Sequence, residues 1–185
     1  TSAVWLLDKL GIQKGIAKLE DFGISIGEAD ENLGAIALGG MSTGVSPVQL
    51  ASAYTTFVNE GVRTEARFIT KIVDATGAVI VDNTNPETNR VTTAAVAEEM
   101  TSMLMGVYAD GGTGASAQPS NGMVIAGKTG TTELDRETGY IKSQWMVGYT
   151  PDLVVATWLG YDETNEAHNL NNAGKTMANL YSAEM

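Results

Sequence analysis

The chain has 185 residues, 43% of them hydrophobic, enough for one domain with a real core. Twenty-two acidic residues against eleven basic ones give a net charge of −11, which argues against nucleic acid or anionic lipid as a partner because the field repels phosphate. Cysteine is absent, so disulfides and thiolate-based zinc or redox sites are excluded. No apolar run approaches membrane-spanning length, and Thr1 to Leu10 lacks the basic start and cleavage pattern of a signal peptide. If the parent protein is anchored or exported, the responsible segment is expected outside this chain.

Ala3 to Leu10 reads as a short helix ended by Gly11, and Ile12 to Phe22 as a second ended by Gly23. The stretch from Ile24 to Gly44 is rich in glycine and reads mostly as loop, with Leu33 to Leu38 as its apolar patch. Ser46-Pro47-Val48-Gln49 is the sharpest helix start: Ser46 can cap, Pro47 suits the first helical position, and Gln49 completes a capping box. Leu50, Ala53, Tyr54, Phe57 and Val58 then recur at helical spacing until Gly61.

Phe68 to Val73 and Val79 to Val81 are predicted strands joined through Ala75-Thr76-Gly77 as a hairpin. A helix is expected from Thr92 or Thr93, its inner face formed by Val96, Met100, Met103, Leu104 and Val107. It ends in Asp110-Gly111-Gly112-Thr113-Gly114, where several positions are free to take positive φ. Three strands come next, at Met123 to Thr132, Trp145 to Thr150 and Leu153 to Leu159. The tight turn Thr150-Pro151-Asp152 predicts that the last two pair antiparallel. Ala173 to Ala183 reads as a closing helix, and no internal repeat is present.

Residues 122 to 132 carry two overlapping motifs. Gly122, Gly127, Lys128 and Thr129 satisfy the phosphate-loop pattern G-x-x-x-x-G-K-[ST]; Lys128, Thr129 and Gly130 form the Lys-Thr-Gly triplet of penicillin-binding serine enzymes. A phosphate loop succeeds a buried strand, runs through pliable small residues and opens a helix. Here Met123 to Ala126 is apolar, and the residues before it (Gln118, Pro119, Ser120, Asn121) are polar and turn-like. On the far side of Lys128 stands Thr-Gly-Thr-Thr, a poor helix start. The stretch is better described as a strand. Its alternation puts the Thr129 and Thr131 hydroxyls on one face, with Lys128 and Gly130 on the other. A lone strand lysine is ordinarily just solvated. Beside bare glycines and hydroxyls, however, the ammonium suits recognition of a carboxylate and an extended peptide.

Other polar residues have plainer readings. His168, the one histidine, sits in a polar loop and reads as solvated, so a Ser-His triad is rejected. Glu98 and Glu99 are helix neighbours that face apart, and Asp135 and Glu137 read as solvated loop acids. The eight methionines lie mostly at core spacing and read as packing, not as ligands. Gly174-Lys175-Thr176 precedes a helix, but Asn169 stands where a phosphate loop needs glycine, so it reads as a helix terminus. No metal site or cofactor is predicted.

Ile125-Ala-Gly-Lys-Thr-Gly-Thr-Thr132, Trp145-Met-Val-Gly-Tyr-Thr-Pro151 and Trp158-Leu-Gly-Tyr-Asp162 together resemble the end of the transpeptidase domain of class A penicillin-binding proteins. Leu38-Gly-Gly, Gly44-Val-Ser-Pro-Val-Gln-Leu-Ala51, Ala53-Tyr54, Phe57-Val-Asn59 and Gly61 are similar to an upstream segment of the same family. Arg90-Val91, Met100-Thr101, Met103-Leu104 and Gly112-Thr-Gly114 keep its order, so the resemblance spans nearly the whole chain. It implies an α+β fold, an antiparallel sheet flanked by helices, like the C-terminal portion of the penicillin-recognising serine transpeptidase/β-lactamase fold.

The resemblance also implies roles. Lys128 would supply positive charge beside a serine of a second motif and help its proton traffic, and the Thr131 backbone N–H would serve the oxyanion hole. Thr129, Gly130, Thr131 and Thr132 would form the substrate-binding run, with Gly130 letting the peptide pass. The implied reaction is attack by an active-site serine on a D-Ala-D-Ala stem peptide, the acyl-enzyme being resolved by a second stem's amine, with β-lactam antibiotics acylating the same serine. Two departures stand out: Ser143 where the family often has an acidic residue, and Met146 where it has Phe.

The larger departure is that neither S-x-x-K nor S-x-N occurs anywhere in the 185 residues. In the family both precede the segment that Thr1-Ser-Ala-Val-Trp5 resembles. Residues 1 to 185 are therefore expected to be the C-terminal part of the domain, inactive alone. Its partners would be the missing N-terminal part, peptidoglycan stem peptides and β-lactams, on the extracytoplasmic face of a bacterial membrane. The rival readings are a phosphate-loop nucleotide binder and a non-catalytic penicillin-sensing or wall-binding module. A class A β-lactamase shares the triplet, but its flanking elements fit less well.

Overall fold

The structure is a computed structural model. It describes residues 2 to 134, 139 to 170 and 174 to 185, with side chains at 174 to 176 and 184 excepted. Two compact units divide the chain, Thr1–Thr93 and Ala94–Met185.

In the first unit, α1 (Ser2–Leu10), α2 (Ile12–Asp21) and α3 (Leu33–Leu38) pack together around Leu7, Ile16 and Ala35. The end of α2 is a Schellman motif: Gly23, at φ 79°, donates to the Glu20 carbonyl and Ile24 to that of Leu19. The segment expected to be mostly loop contains a helix. Asn32 accepts from the Ala35 N–H at 2.9 Å as an N-cap, and Gly39 ends α3 in the left-handed region at φ 78°. The buried Asp30 carboxylate accepts from the Ser42 and Thr43 amides at 2.8 and 3.3 Å, which holds its pKa below the ordinary range.

The capping box forms as predicted. Ser46 Oγ accepts from Gln49 N–H, Gln49 Oε1 accepts from Ser46 N–H, and Pro47 opens α4 (Pro47–Val58). Its most buried residues are Ser52, Ala53 and Thr56, while Leu50, Tyr54, Phe57 and Val58 of the expected helical set are half-buried. Ser52 donates to the Thr64 carbonyl at 2.7 Å and Thr55 accepts from the Thr64 N–H at 2.8 Å, which ties the helix to β1 (Val62–Thr64). The predicted hairpin is β2 (Lys71–Val73) with β3 (Val79–Asp82), its turn organised by Asp74 Oδ1, which accepts from Thr76 and Ala78. Phe68 to Thr70 stay outside β2. A fourth strand, β4 (Thr88–Arg90), pairs antiparallel with β1.

The second unit holds α5 (Ala94–Met105), a three-stranded sheet of β5 (Ala126–Glu133), β6 (Ile141–Tyr149) and β7 (Val154–Gly160), and α6 (Gly174–Glu184). All pairings are antiparallel in the order β5-β6-β7, and the Thr150 N–H closes the last hairpin on the Leu153 carbonyl at 2.9 Å. Strand β5 starts at Ala126, three residues later than expected. The inner face of α5 also differs: Ala97 is fully buried, whereas Val96 and Met103 are exposed. A small residue lets a helix approach its neighbours closely, and apolarity at helical spacing does not by itself say which side is covered. Of the methionines only Met146 and Met177 are buried among the described residues.

The core of this unit is Tyr108, Ala117, Ile125, Met146, Met177, Ala178 and Tyr181. Tyr108 donates to the Val147 carbonyl at 3.1 Å and stacks on Tyr181 at 6.0 Å between ring centroids. Gly148 lies at the hydroxyl ends of both side chains, where a Cβ would overlap the Tyr181 hydroxyl. Burial pushes the phenols of Tyr108 and Tyr149 above the ordinary value and that of Tyr181 to about 12. A raised pKa means that the unfolded chain ionises first. The stability the Tyr181 phenol supplies is therefore fully present below pH 10.0, the ordinary tyrosine value, and lost as pH rises from there through about 12. Denaturant midpoints should stay flat as pH approaches 10 from below and fall beyond it, with a shallower fall in Tyr181→Phe. An unchanged slope in that variant would contradict the assignment.

Candidate active-site strand

The cross-strand partners of β5 decide which way its side chains face. Lys128 lies opposite Val147, Thr129 opposite Met146, Gly130 opposite Trp145, Thr131 opposite Gln144 and Thr132 opposite Ser143. Directly opposed residues share a face, so Gly127, Thr129 and Thr131 lie on the side of Met146 and Gly148, the side carrying the tyrosine core. Lys128 and Gly130 lie on the other, with Val147, Trp145 and Trp158. The predicted alternation thus holds, and the triplet sits on an edge strand whose second side has no strand beside it among the described residues.

The two glycines differ in what requires them. A Cβ on Gly127 would overlap the Val147 carbonyl oxygen and lie 2.6 Å from the Gly148 Cα, so this position is bare because β6 approaches its backbone. A Cβ on Gly130 would lie 3.3 Å from the Trp145 Cβ, and its three nearest neighbours would all be atoms of that side chain. Gly127 is thus bare where another backbone approaches closely, as glycine beside the triplet predicts, and that backbone belongs to the sheet itself.

The exposed Lys128 ammonium donates to the Thr129 carbonyl at 2.8 Å, so its charge lies along its own strand. Thr129 is half-buried, and its hydroxyl shares a 2.7 Å hydrogen bond with that of Thr113. Thr131 is exposed and Thr132 half-buried. Ser143 and Met146, the two departures from the family pattern, are both buried in β6. Sequence reasoning does not reach Thr113 as a site residue. The signal is the Gly112-Thr-Gly114 run, which spacing alone does not connect to a strand sixteen residues on.

Residues outside this strand take quiet roles. His168 is exposed and stacks on Tyr161 at 5.3 Å in a turn where its N–H donates to Asn165 Oδ1. Glu98 and Glu99 are exposed; Asp135 and Glu137 lie outside the described residues. Ser46 and Ser52 are engaged with backbone groups. The phosphate-loop reading fails on geometry, since Lys128 and Thr129 belong to a strand continuing to Glu133 and no helix opens there to cradle an anion. Gly174 begins α6, as the helix-terminus reading required. Among the described residues no group of three acidic or histidine side chains could hold a metal ion, and no helix is long and apolar enough to cross a membrane.

Residues 4–183 match the family model of the penicillin binding protein transpeptidase domain. Penicillin-binding protein 2a of Streptococcus pneumoniae is 42% identical over 94% of this chain, and penicillin-binding protein 1F of Bacillus subtilis 40% identical over 91%. The chain spans 23% and 22% of the length of these two relatives. Among solved structures, the PonA1 protein from Mycobacterium tuberculosis in complex with penicillin V matches with a TM-score of 0.63 at 29% identity, over 82% of this chain and 41% of that one. The imipenem acyl-enzyme complex of penicillin-binding protein A from M. tuberculosis shares the fold, with a TM-score of 0.71 at 20% identity over 100% of this chain and 45% of that one. Family model, relatives and folds agree with the ordered motifs, and the chain belongs to the penicillin binding protein transpeptidase domain family.

Proposed function

We propose that this chain supplies one wall of the acyl-transfer site of a peptidoglycan D,D-transpeptidase, with the nucleophilic serine in another part of the same domain. The observation that carries this reading is an edge strand presenting Lys128, Thr129, Gly130 and Thr131 in the family's order. The chain is then the C-terminal part of the domain, and alone it does not react with penicillin, having no S-x-x-K serine.

Within the strand, N–H and C=O of one residue point the same way and the direction repeats every second residue. The Thr129 carbonyl takes the Lys128 ammonium, which supports a free-edge orientation for Thr129 and hence for the Thr131 N–H. A substrate carbonyl lying along that edge would develop its oxyanion against Thr131. The Thr129 and Thr131 hydroxyls would take the carboxylate, and Thr132 would flank the same run. Lys128 would add positive charge near the serine's proton path. The serine oxygen bonds to the penultimate D-Ala carbonyl carbon, and the terminal D-Ala leaves as an amine carrying a proton. A second stem's amine then displaces the serine, forming the crosslink. A β-lactam undergoes the first step in the same way, its ring nitrogen taking the leaving-group role. The partners are the remaining part of the domain, stem peptides and β-lactams, and the site of action is the outer face of a bacterial membrane.

In the complete domain, Lys128→Ala should slow penicillin acylation roughly 30- to 1,000-fold while shifting the melting temperature little, because its ammonium is exposed. Stopped-flow acylation alongside calorimetry checks this. Near-wild-type acylation would make the strand mere scaffold.

The glycines give a second test. Gly127→Ala should cost about 1–3 kcal/mol of stability through overpacking against β6. Gly130→Ala should be better tolerated by the fold yet impair acylation by putting a methyl in the substrate's path. Equal stability losses in the two variants, by denaturant titration, would contradict the distinction.

A further inference from the structure

Thr113 lies outside the triplet, yet its hydroxyl sits 2.7 Å from that of Thr129. The loop carrying it is tightly built. After α5 the Gly112 N–H donates to the Ala109 carbonyl at 2.8 Å, and the Gly114 N–H to the Val107 carbonyl at 2.8 Å. A Cβ on Gly112 would overlap the Val107 carbonyl oxygen, and one on Gly114 would press on the Tyr108 ring at 3.2 Å. Tyr108 is itself anchored to the Val147 carbonyl of β6. A glycine with no room for a side chain and a second one tightly packed therefore bracket Thr113 and hold it beside Thr129 of β5.

The fold gains little from this contact. Thr113 is exposed, and a neutral hydrogen bond reachable by water contributes about 1 kcal/mol or less. Its chemistry is directional instead. A threonine hydroxyl has one proton to donate and two lone pairs. If Thr113 donates to Thr129 Oγ1, the Thr129 proton is released from that partner and free to point at an anion. If Thr129 donates to Thr113, the Thr113 proton is the free one. Either way, the pair presents one outward proton in place of two independent rotors, and an incoming carboxylate selects the orientation in which Thr129 donates to it.

We propose that Thr113 is a positioning residue for carboxylate recognition, orienting the Thr129 hydroxyl toward the ligand. This rests on the reading of β5 as the carboxylate-binding wall.

The test uses the full-length parent protein, with penicillin G and its methyl ester as the probe pair. The ester keeps the reactive ring and masks the carboxylate. Thr113→Val should lower the second-order acylation rate with penicillin G roughly tenfold, through weaker binding more than a slower limiting rate. It should leave the ester rate and the melting temperature close to wild type. Thr113→Ser, which keeps the hydroxyl, should restore the rate. In combination with Thr129→Val, Thr113→Val should add almost nothing, since its effect passes through Thr129. Equal losses with acid and ester, failure of Ser to restore the rate, a loss explained by unfolding, or additive effects in the double variant would each overturn the proposal. If Thr129→Val impairs penicillin G acylation and Thr113→Val does not, this inference alone fails. If Thr129→Val has no effect, the carboxylate-wall reading fails with it.

Discussion

The antiparallel pairing of β5 with β6 is the constraint on which the second unit depends. It requires Gly127, because any side chain there would strike the Val147 carbonyl oxygen. It also requires Gly148 one position along, against the Tyr108 and Tyr181 hydroxyls. Val147 joins these demands: its carbonyl closes over Gly127 on one strand and accepts the Tyr108 hydroxyl from beyond the sheet. Once this register is set, Thr129 must share the face of Met146, and Lys128 the face of Val147. The placement of every candidate site residue on the strand results from a backbone approach that two glycines permit.

The same pairing explains why one stretch of sequence can satisfy two motifs yet fold as only one of them requires. A phosphate loop and a substrate-lining edge strand both need glycine beside a lysine and a hydroxyl, one to wrap amides round an anion, the other to let backbones pass. The patterns diverge C-terminal to the lysine. Thr-Gly-Thr-Thr cannot start a helix well, and β5 runs on through it to Glu133. The acidic balance of the chain points the same way, since a net charge of −11 opposes the binding of phosphate.

Elements with strong local chemistry are legible in the sequence. Ser46-Pro-Val-Gln49 starts a helix by its own hydrogen bonds, Gly23 closes α2, and Thr150-Pro-Asp152 folds β6 onto β7. The helix Leu33–Leu38 is masked by the glycines around it, although Asn32 and Gly39 bound it with recognisable caps. Strands β1 and β4 are three residues each and owe their existence to each other across more than twenty residues, so no local period announces them. The buried side of α5 escapes the sequence pattern for a related reason: Ala97 is covered because neighbours approach it, not because it is the most apolar choice. In the site, the order along β5 is readable from the triplet, whereas the roles of Gly127 in the sheet and of Thr113 beside Thr129 depend on tertiary approach.

If β5 is a substrate-binding wall, a crystal structure of the complete parent protein acylated by a penicillin tests it most directly. The acyl carbonyl oxygen should lie within about 3 Å of the Thr131 N–H, with the adduct's carboxylate against the hydroxyls of Thr129 and Thr131. An adduct bound away from β5, or one whose carbonyl and carboxylate both avoid Lys128 to Thr132, would contradict it.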